Sequence, residues 1–270
     1  LRKVGGVGLI ALGVLVLLIL ASMSFFREDP AGLAKAESQL EGVDKVIVAS
    51  TNIDVRLLSS PGANLSAELV NHDRGAITSR LNGDTLELEV QSEHSFGLFL
   101  FNWEQETLDV YVPEEYTEEL RVETDSGDIS ISGLSLRQLG IHSTSGDIAV
   151  DRVQSELAEV TSVSGDLLLT GHEGGETRAE STSGDIALER FSGALTLSTV
   201  SGDGYVSYAE ENEQLRVNTT SGDVMVTIPK PYGDLRTSST SGDVLVVNRE
   251  AFSGDEMVDI QTISGDVIIK

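Results

Sequence analysis

Ser-Gly-Asp stands at residues 126–128 and returns at 145, 164, 183, 201, 221, 241 and 264, at intervals of 19, 19, 19, 18, 20, 20 and 23 residues. A tripeptide repeated at nearly one period marks an architecture of stacked units, each too small to bury its own apolar face alone. Aligning the copies on the Asp brings out the rest of the pattern. The eighth position before it reads Leu120, Leu139, Ala158, Thr177, Leu195, Leu215, Leu235, Val258, and the sixth reads Val122, Ile141, Val160, Ala179, Leu197, Val217, Thr237, Ile260. Polar residues such as Arg121 and Glu123 fall between and beside them, so the run alternates with the period of a half-buried strand. The position after the Asp is apolar in seven copies and Gly204 in the eighth, and two residues further on stand Ile131, Val150, Leu169, Leu188, Val206, Val226, Val246 and Ile269. Each unit therefore reads as strand, tight turn, strand and looser return.

This pattern predicts an all-β chain, with the units stacked as a parallel β-solenoid (β-helix) of roughly 19–20-residue rungs. An antiparallel meander, barrel or propeller is the alternative, because strand-turn-strand also describes a hairpin. Within the turn, Gly127, Gly146, Gly165, Gly184, Gly202, Gly222, Gly242 and Gly265 are expected to supply a positive φ, with Ser and Asp accepting nearby amides. Four residues before each Asp stands a hydroxyl, at Thr124, Ser143, Ser162, Ser181, Thr199, Thr219, Ser239 and Thr262, which alternation points inward.

Stacking would set Asp128, Asp147, Asp166, Asp185, Asp203, Asp223, Asp243 and Asp266 in one column. Two unit charges 4.8 Å apart repel by about 1 kcal/mol in water and about 3.5 kcal/mol at an effective dielectric of 20, so such a column needs relief. Bonds to turn amides are the expected source; weak cation binding by the column is the alternative.

The N-terminal part differs. Residues 4–26, opening on Val4 and closing on Phe26, carry no charge over a helical length of about 34 Å, enough to cross a bilayer core of about 30 Å. They predict an uncleaved transmembrane anchor, with a signal sequence as the alternative. Arg2 and Lys3 before the span place the start in the cytoplasm and everything after Arg27 outside. The expected organisation is 1–27 as cytoplasmic start and membrane helix, 28–44 as juxtamembrane linker, 45–118 as irregular β rungs or cap, and 119–270 as regular repeats. Ser50 to Val55 resembles a degraded repeat turn. Phe96, Phe99, Phe101 and Trp103 are expected to cover the open first rung, or to form a partner or membrane contact. The chain ends just after its last strand, which predicts an edge guarded by Lys270 alone.

Several function classes fall away. Beyond residue 27 the chain has 15 basic against 44 acidic residues, a net charge of -29, which repels nucleic acid and anionic lipid. No cysteine is present, so a disulfide framework, a thiolate metal site and a cysteine nucleophile are excluded. Metalloprotease, phosphate-loop, EF-hand and serine-elbow motifs are absent, and no cofactor is implied. His142 and His172 read as solvated. Arg121, Arg178, Arg216 and Arg236 share one outward column, which a groove for acidic sugars would use.

The motif in Thr144-Ser145-Gly146-Asp147-Ile148-Ala149-Val150 resembles the bacterial β-strand-repeat family called putative adhesins, from about Val43 to Lys270. The layout of short start, single span and repeat domain is similar to that of LiaG-like proteins of the Gram-positive Lia envelope-stress system. The resemblance implies a surface β-structure without known catalysis and carries no functional residues. The expected function is a membrane-anchored extracytoplasmic protein that presents an interaction surface to an envelope protein or polymer, in adhesion or envelope stress. An envelope polysaccharide-binding or polysaccharide-modifying enzyme is the alternative.

Overall fold

In the computed structural model, the repeats pair with one another in parallel. The structure describes residues 35–70, 75–92, 106–210, 213–231, 233–247, 252 and 257–270. Chain contacts separate Leu1–Ala31 from Gly32–Lys270, and only the second unit contains described residues. The expected anchor and the Phe96, Phe99, Phe101 and Trp103 cluster lie outside them. Among the described residues there is no helix, and none long and apolar enough to cross a membrane.

Seven strands precede the first Ser-Gly-Asp: β1 (Lys35–Gln39), β2 (Lys45–Ser50), β3 (Asp54–Ser60), β4 (Asn64–Val70), β5 (Gly75–Asn82), β6 (Thr85–Ser92) and β7 (Thr107–Pro113). The repeats follow as pairs. They are β8 (Glu119–Thr124) with β9 (Ile129–Ser132), β10 (Ser135–Ser143) with β11 (Ile148–Asp151), and β12 (Gln154–Ser162) with β13 (Leu167–Thr170). Next, β14 (Glu173–Ser181) leads into the long β15 (Ile186–Ser201), whose two halves serve successive units, followed by β16 (Gly204–Tyr208). The last three pairs are β17 (Leu215–Ser221) with β18 (Val224–Thr227), β19 (Asp234–Ser241) with β20 (Val244–Val246), and β21 (Met257–Ser264) with β22 (Val267–Ile269).

Strands before each turn form one ladder and strands after it form another. In the first, Leu139 lies beside Leu120 and Ala158, and Ile141 beside Val122 and Val160, so the register advances by one repeat per strand. In the second, Ile148 lies beside Ile129 and Leu167. Antiparallel pairing among the described residues is confined to the start, where β4 pairs with β1 and β7, and β5 with β6.

The spatial order departs from the chain order at both ends. Strand β2 lies between β6 and β8, and β3 between β7 and β9. At the other end β21 lies between β17 and β19, and β22 between β18 and β20. The expected edge at Ile268-Ile269-Lys270 is therefore wrong. Ile268 and Ile269 are paired on both sides, Lys270 bonds to Val226 and Ile228, and among the described residues the open rung is the one bearing Asp243. The long last interval supplies the chain needed to step back into the place left between Asp223 and Asp243.

The inward columns fill a continuous core. Leu120, Val122, Ile129 and Ile131 of the first regular repeat are buried, as are Leu215, Val217, Val224 and Val226. Val244 of the open rung is 40% exposed although its register partner Val267 is fully buried, because no rung lies beyond it among the described residues. Thr237 takes the place of an aliphatic residue at that same half-exposed end.

The return is more ordered than expected. Six residues after the Asp stand Leu134, Val153, His172 and Phe191, all buried. Two residues later stand Leu136, Ser155, Gly174 and Gly193. A Cβ at Gly174 would sit 2.4 Å from Oγ1 of Thr177 and 3.1 Å from Nε2 of His172, and one at Gly193 would overlap the Gly174 carbonyl oxygen of the neighbouring rung.

Candidate functional site

The Ser-Gly-Asp corner combines three devices, each repeated along the stack. The first is a ladder of carboxylates. The Asp128 amide donates to Oδ1 of Asp54 at 2.9 Å, the Asp147 amide to Asp128 at 2.9 Å, the Asp166 amide to Asp147 at 2.9 Å and the Asp185 amide to Asp166 at 2.8 Å. The series continues with Asp203 on Asp185 at 2.7 Å, Asp223 on Asp203, Asp266 on Asp223 and Asp243 on Asp266, the last three at 2.8 Å. Each charge-assisted bond ties one turn to the next and offsets the repulsion between neighbouring charges. The ladder begins at Asp54, and its last two steps follow the spatial order of the rungs. The Asp54 carboxyl is raised above its usual range, by burial first; the Asp128 amide lowers it in part, and the Asp128 charge raises it again.

The second device is the inward hydroxyl. Thr124, Ser143, Ser162, Ser181, Thr199, Thr219 and Thr262 are buried, and Ser239 of the open rung is half-buried. Thr124 donates to the Gly127 carbonyl at 2.9 Å, and Ser143 accepts the Gly146 amide at 2.9 Å. Ser239 donates to the Gly265 carbonyl at 3.0 Å. Ser50 does the same for Ile53 at 2.9 Å in the irregular first turn.

The third is the glycine, and here the expected cause is corrected. Of the eight turn glycines only Gly242 and Gly265 have a φ in the positive range, at 151° and 148°. What all eight share is proximity. A Cβ on Gly146 would overlap the Gly127 carbonyl oxygen, and one on Gly165, Gly184, Gly202 or Gly222 would overlap the glycine of the neighbouring rung; Gly265 meets Gly222, and Gly242 meets Gly265. Gly127 meets the Ile53 carbonyl instead. The left-handed position lies on the opposite corner, at Gly133, Arg152, Gly171 and Arg190, with φ of 73°, 49°, 60° and 52°.

Among the described residues the Ser residues of the motif make no hydrogen bond to a histidine. His142 lies on the outer face, with Nδ1 2.9 Å from the Thr161 hydroxyl. His172, expected in solvent, is fully buried and stacks on Phe191 at 6.1 Å between ring centroids. Burial pushes its pKa down to about 4. Its Nε2 is 3.5 Å from the Ser155 hydroxyl. No cluster of three metal-ligating side chains occurs among the described residues.

The outward arginine column is interrupted. Between Arg121 and Arg178 lie Gly140 and Glu159, and Arg178 and Arg216 are separated by Thr196. Asp259 follows before Arg236. Arg121 bonds to Glu123, Arg178 to Glu180 at 2.7 Å, and Arg236 approaches Asp234 at 3.6 Å. The face is a mosaic of paired charges and not a basic strip.

Residues 43–270 match the Toastrack DUF4097 family. The chain belongs to that family. Among solved structures it is similar to a putative cell adhesion protein from Clostridium sporogenes ATCC 15579, at 13% identity, a TM-score of 0.33, and coverage of 87% of this chain and 98% of that one. A putative adhesin from Bacteroides fragilis NCTC 9343 aligns at 12% identity and a TM-score of 0.42, covering 89% and 98%. A putative lipid binding protein from Parabacteroides distasonis ATCC 8503 aligns at 14% identity and 0.42, covering 87% and 96%. No curated protein matches the chain. The ladder of Asp carboxylates extends one step into the irregular region, at Asp54; only the resemblance of Ser50 to Val55 to a repeat turn signals it in the sequence.

Proposed function

We propose that this chain is a non-enzymatic, membrane-anchored extracytoplasmic β-solenoid that presents an interaction surface, in adhesion or in the response to cell-envelope stress. One observation supports the reading above others: the repeated residues of the turn serve the stack. Each Asp holds the next turn through its Oδ1, and the inward hydroxyls lie at the buried corner, where Thr124 and Ser143 bond to their own turns. What remains free along the stack is its outer faces. The uncharged run at residues 4–26 and the preceding Arg2 and Lys3 support anchorage with the repeats outside.

Crosslinking of the intact protein in cells under envelope stress, followed by pull-down, tests this reading. Recovery of a specific envelope protein or polymer is expected. Recovery of none, with the protein present and folded, would overturn it.

A further inference from the structure

The outer faces of the two ladders differ. On the ladder before the turn the outward columns mix charged pairs, such as Arg178 with Glu180, with Gly140, Thr196 and isolated exposed Leu157, Val200 and Ile263. On the ladder after it, the column two residues past each Asp reads Ser130 and Ala149, then Leu168, Ala187, Tyr205, Met225, Ile268 and Leu245 in spatial order. Leu168 is 42% exposed, Tyr205 36% and Leu245 56%. Apolar residues scattered singly on a surface need no explanation, but six consecutive rungs of them in register form one stripe. Alongside runs the row of exposed carboxylates from Asp166 to Asp243, displaced by two residues, or about 6.6 Å of strand.

We propose that this stripe docks an amphipathic helix of a partner protein, with its apolar side on Leu168 to Leu245 and lysines or arginines along the Asp row. Spacing selects the helix. Rungs recur every 4.8 Å or so, a helix presents its face once per 5.4 Å turn, and an extended strand presents a face only every 6.6 Å or so. Five steps from Leu168 to Leu245 span about 24 Å, or about 16 helical residues, and over that length a helix drifts by about 3 Å where a strand drifts by about 9 Å. Charge selects the flank. A second copy brings its own carboxylate row and a net charge of -26, and an anionic bilayer is repelled in the same way, whereas a basic helix is drawn in.

The proposal deepens the reading of the chain as an interaction scaffold, and its test separates the two. The full 270-residue chain, held in zwitterionic nanodiscs, is titrated with a peptide of about 18 residues having leucines on one face and lysines on one flank. Saturable binding that weakens with salt is expected. Leu168→Ser with Tyr205→Ser should weaken it by about tenfold or more. Asp166→Asn, Asp203→Asn and Asp223→Asn together keep an acceptor for each neighbouring amide and should also weaken it, which decides the matter if the first variant fails to fold. Equal binding of a glutamate-flanked peptide, or of one broken by a central proline, would overturn the proposal. So would undiminished binding by both variants, no binding at all, or a dimer dispersed by the Leu168 and Tyr205 changes. Those results would leave the wider scaffold reading to the pull-down.

Discussion

Gly146 and Gly171 look alike in the sequence and are held by different forces. A Cβ on Gly146 would strike the Gly127 carbonyl of the neighbouring rung, and no side-chain motion can relieve a backbone overlap. Gly171 has φ of 60° but open space around it, its nearest contact being Cγ of Arg152 at 3.6 Å. Gly171→Ala should therefore cost about 1–2 kcal/mol, the penalty of a left-handed residue. Gly146→Ala should cost more than about 3 kcal/mol or prevent folding, because the rung spacing itself must open. Urea midpoints of the two variants compare them directly, and similar losses would contradict this account. His172 makes a second prediction. Its folded pKa of about 4 lies below the unfolded 6.5, so the unfolded chain binds the proton more readily between them. Stability should fall as pH drops from about 6.5 to 4, by up to about 3 kcal/mol, and His172→Phe should remove that component. Asp54 acts oppositely: its raised pKa favours the folded state as pH falls through it. Chemical denaturation across this pH range, in wild type and variant, measures the difference. The sequence pattern indicated that the turn needed glycine. It did not reveal why, because proximity between rungs is a distance across the stack and leaves no mark within one repeat.

At the level of the element, the return corner sets Gly133, Arg152, Gly171 and Arg190 in the same left-handed conformation. Two rungs meet this with glycine and two with arginine, and among the described residues Arg152 forms its ion pair with exposed Asp151. Such an ion pair is worth little, about 0–1 kcal/mol. Arg152→Gly with Arg190→Gly should thus leave stability unchanged or raise it by about 1–2 kcal/mol, read as a higher thermal midpoint. A clear drop would show that the arginine side chains hold the corner by other means. The strands themselves were legible from their alternation, since Leu120 and Val122, with Ile129 and Ile131, repeat at fixed offsets from the Asp. The inward column of Leu134, Val153, His172 and Phe191 was written at the same period. It was missed because its members span aliphatic, basic and aromatic types, whose common burial only the stacked rungs show.

For the whole molecule, the decisive fact is that the last strands in sequence are not the last in space. Removing residues 257–270 takes away Val258, Ile260, Val267 and Ile269, all fully buried, and leaves a vacant rung between Asp223 and Asp243. That loss is about 6–12 kcal/mol of apolar burial, comparable with the whole stability of an ordinary domain. The truncated chain should lose cooperative unfolding, whereas Leu245→Ser on the outermost of the described rungs should hardly move the midpoint. Equal midpoints for truncated and intact chains would show that β21 and β22 are dispensable. The repeating Asp, the inward hydroxyl and the apolar columns by themselves determined an all-β chain of stacked units with a turn at each Ser-Gly-Asp, because local periodicity reports which side chains face inward. Tertiary structure alone decided that Asp266 sits between Asp223 and Asp243, that His172 is enclosed, and that Leu168, Tyr205 and Leu245 line up beside the carboxylates. Each of these depends on which rung lies against which, and rung order is settled by pairing between distant strands, whose partners a single repeat does not name.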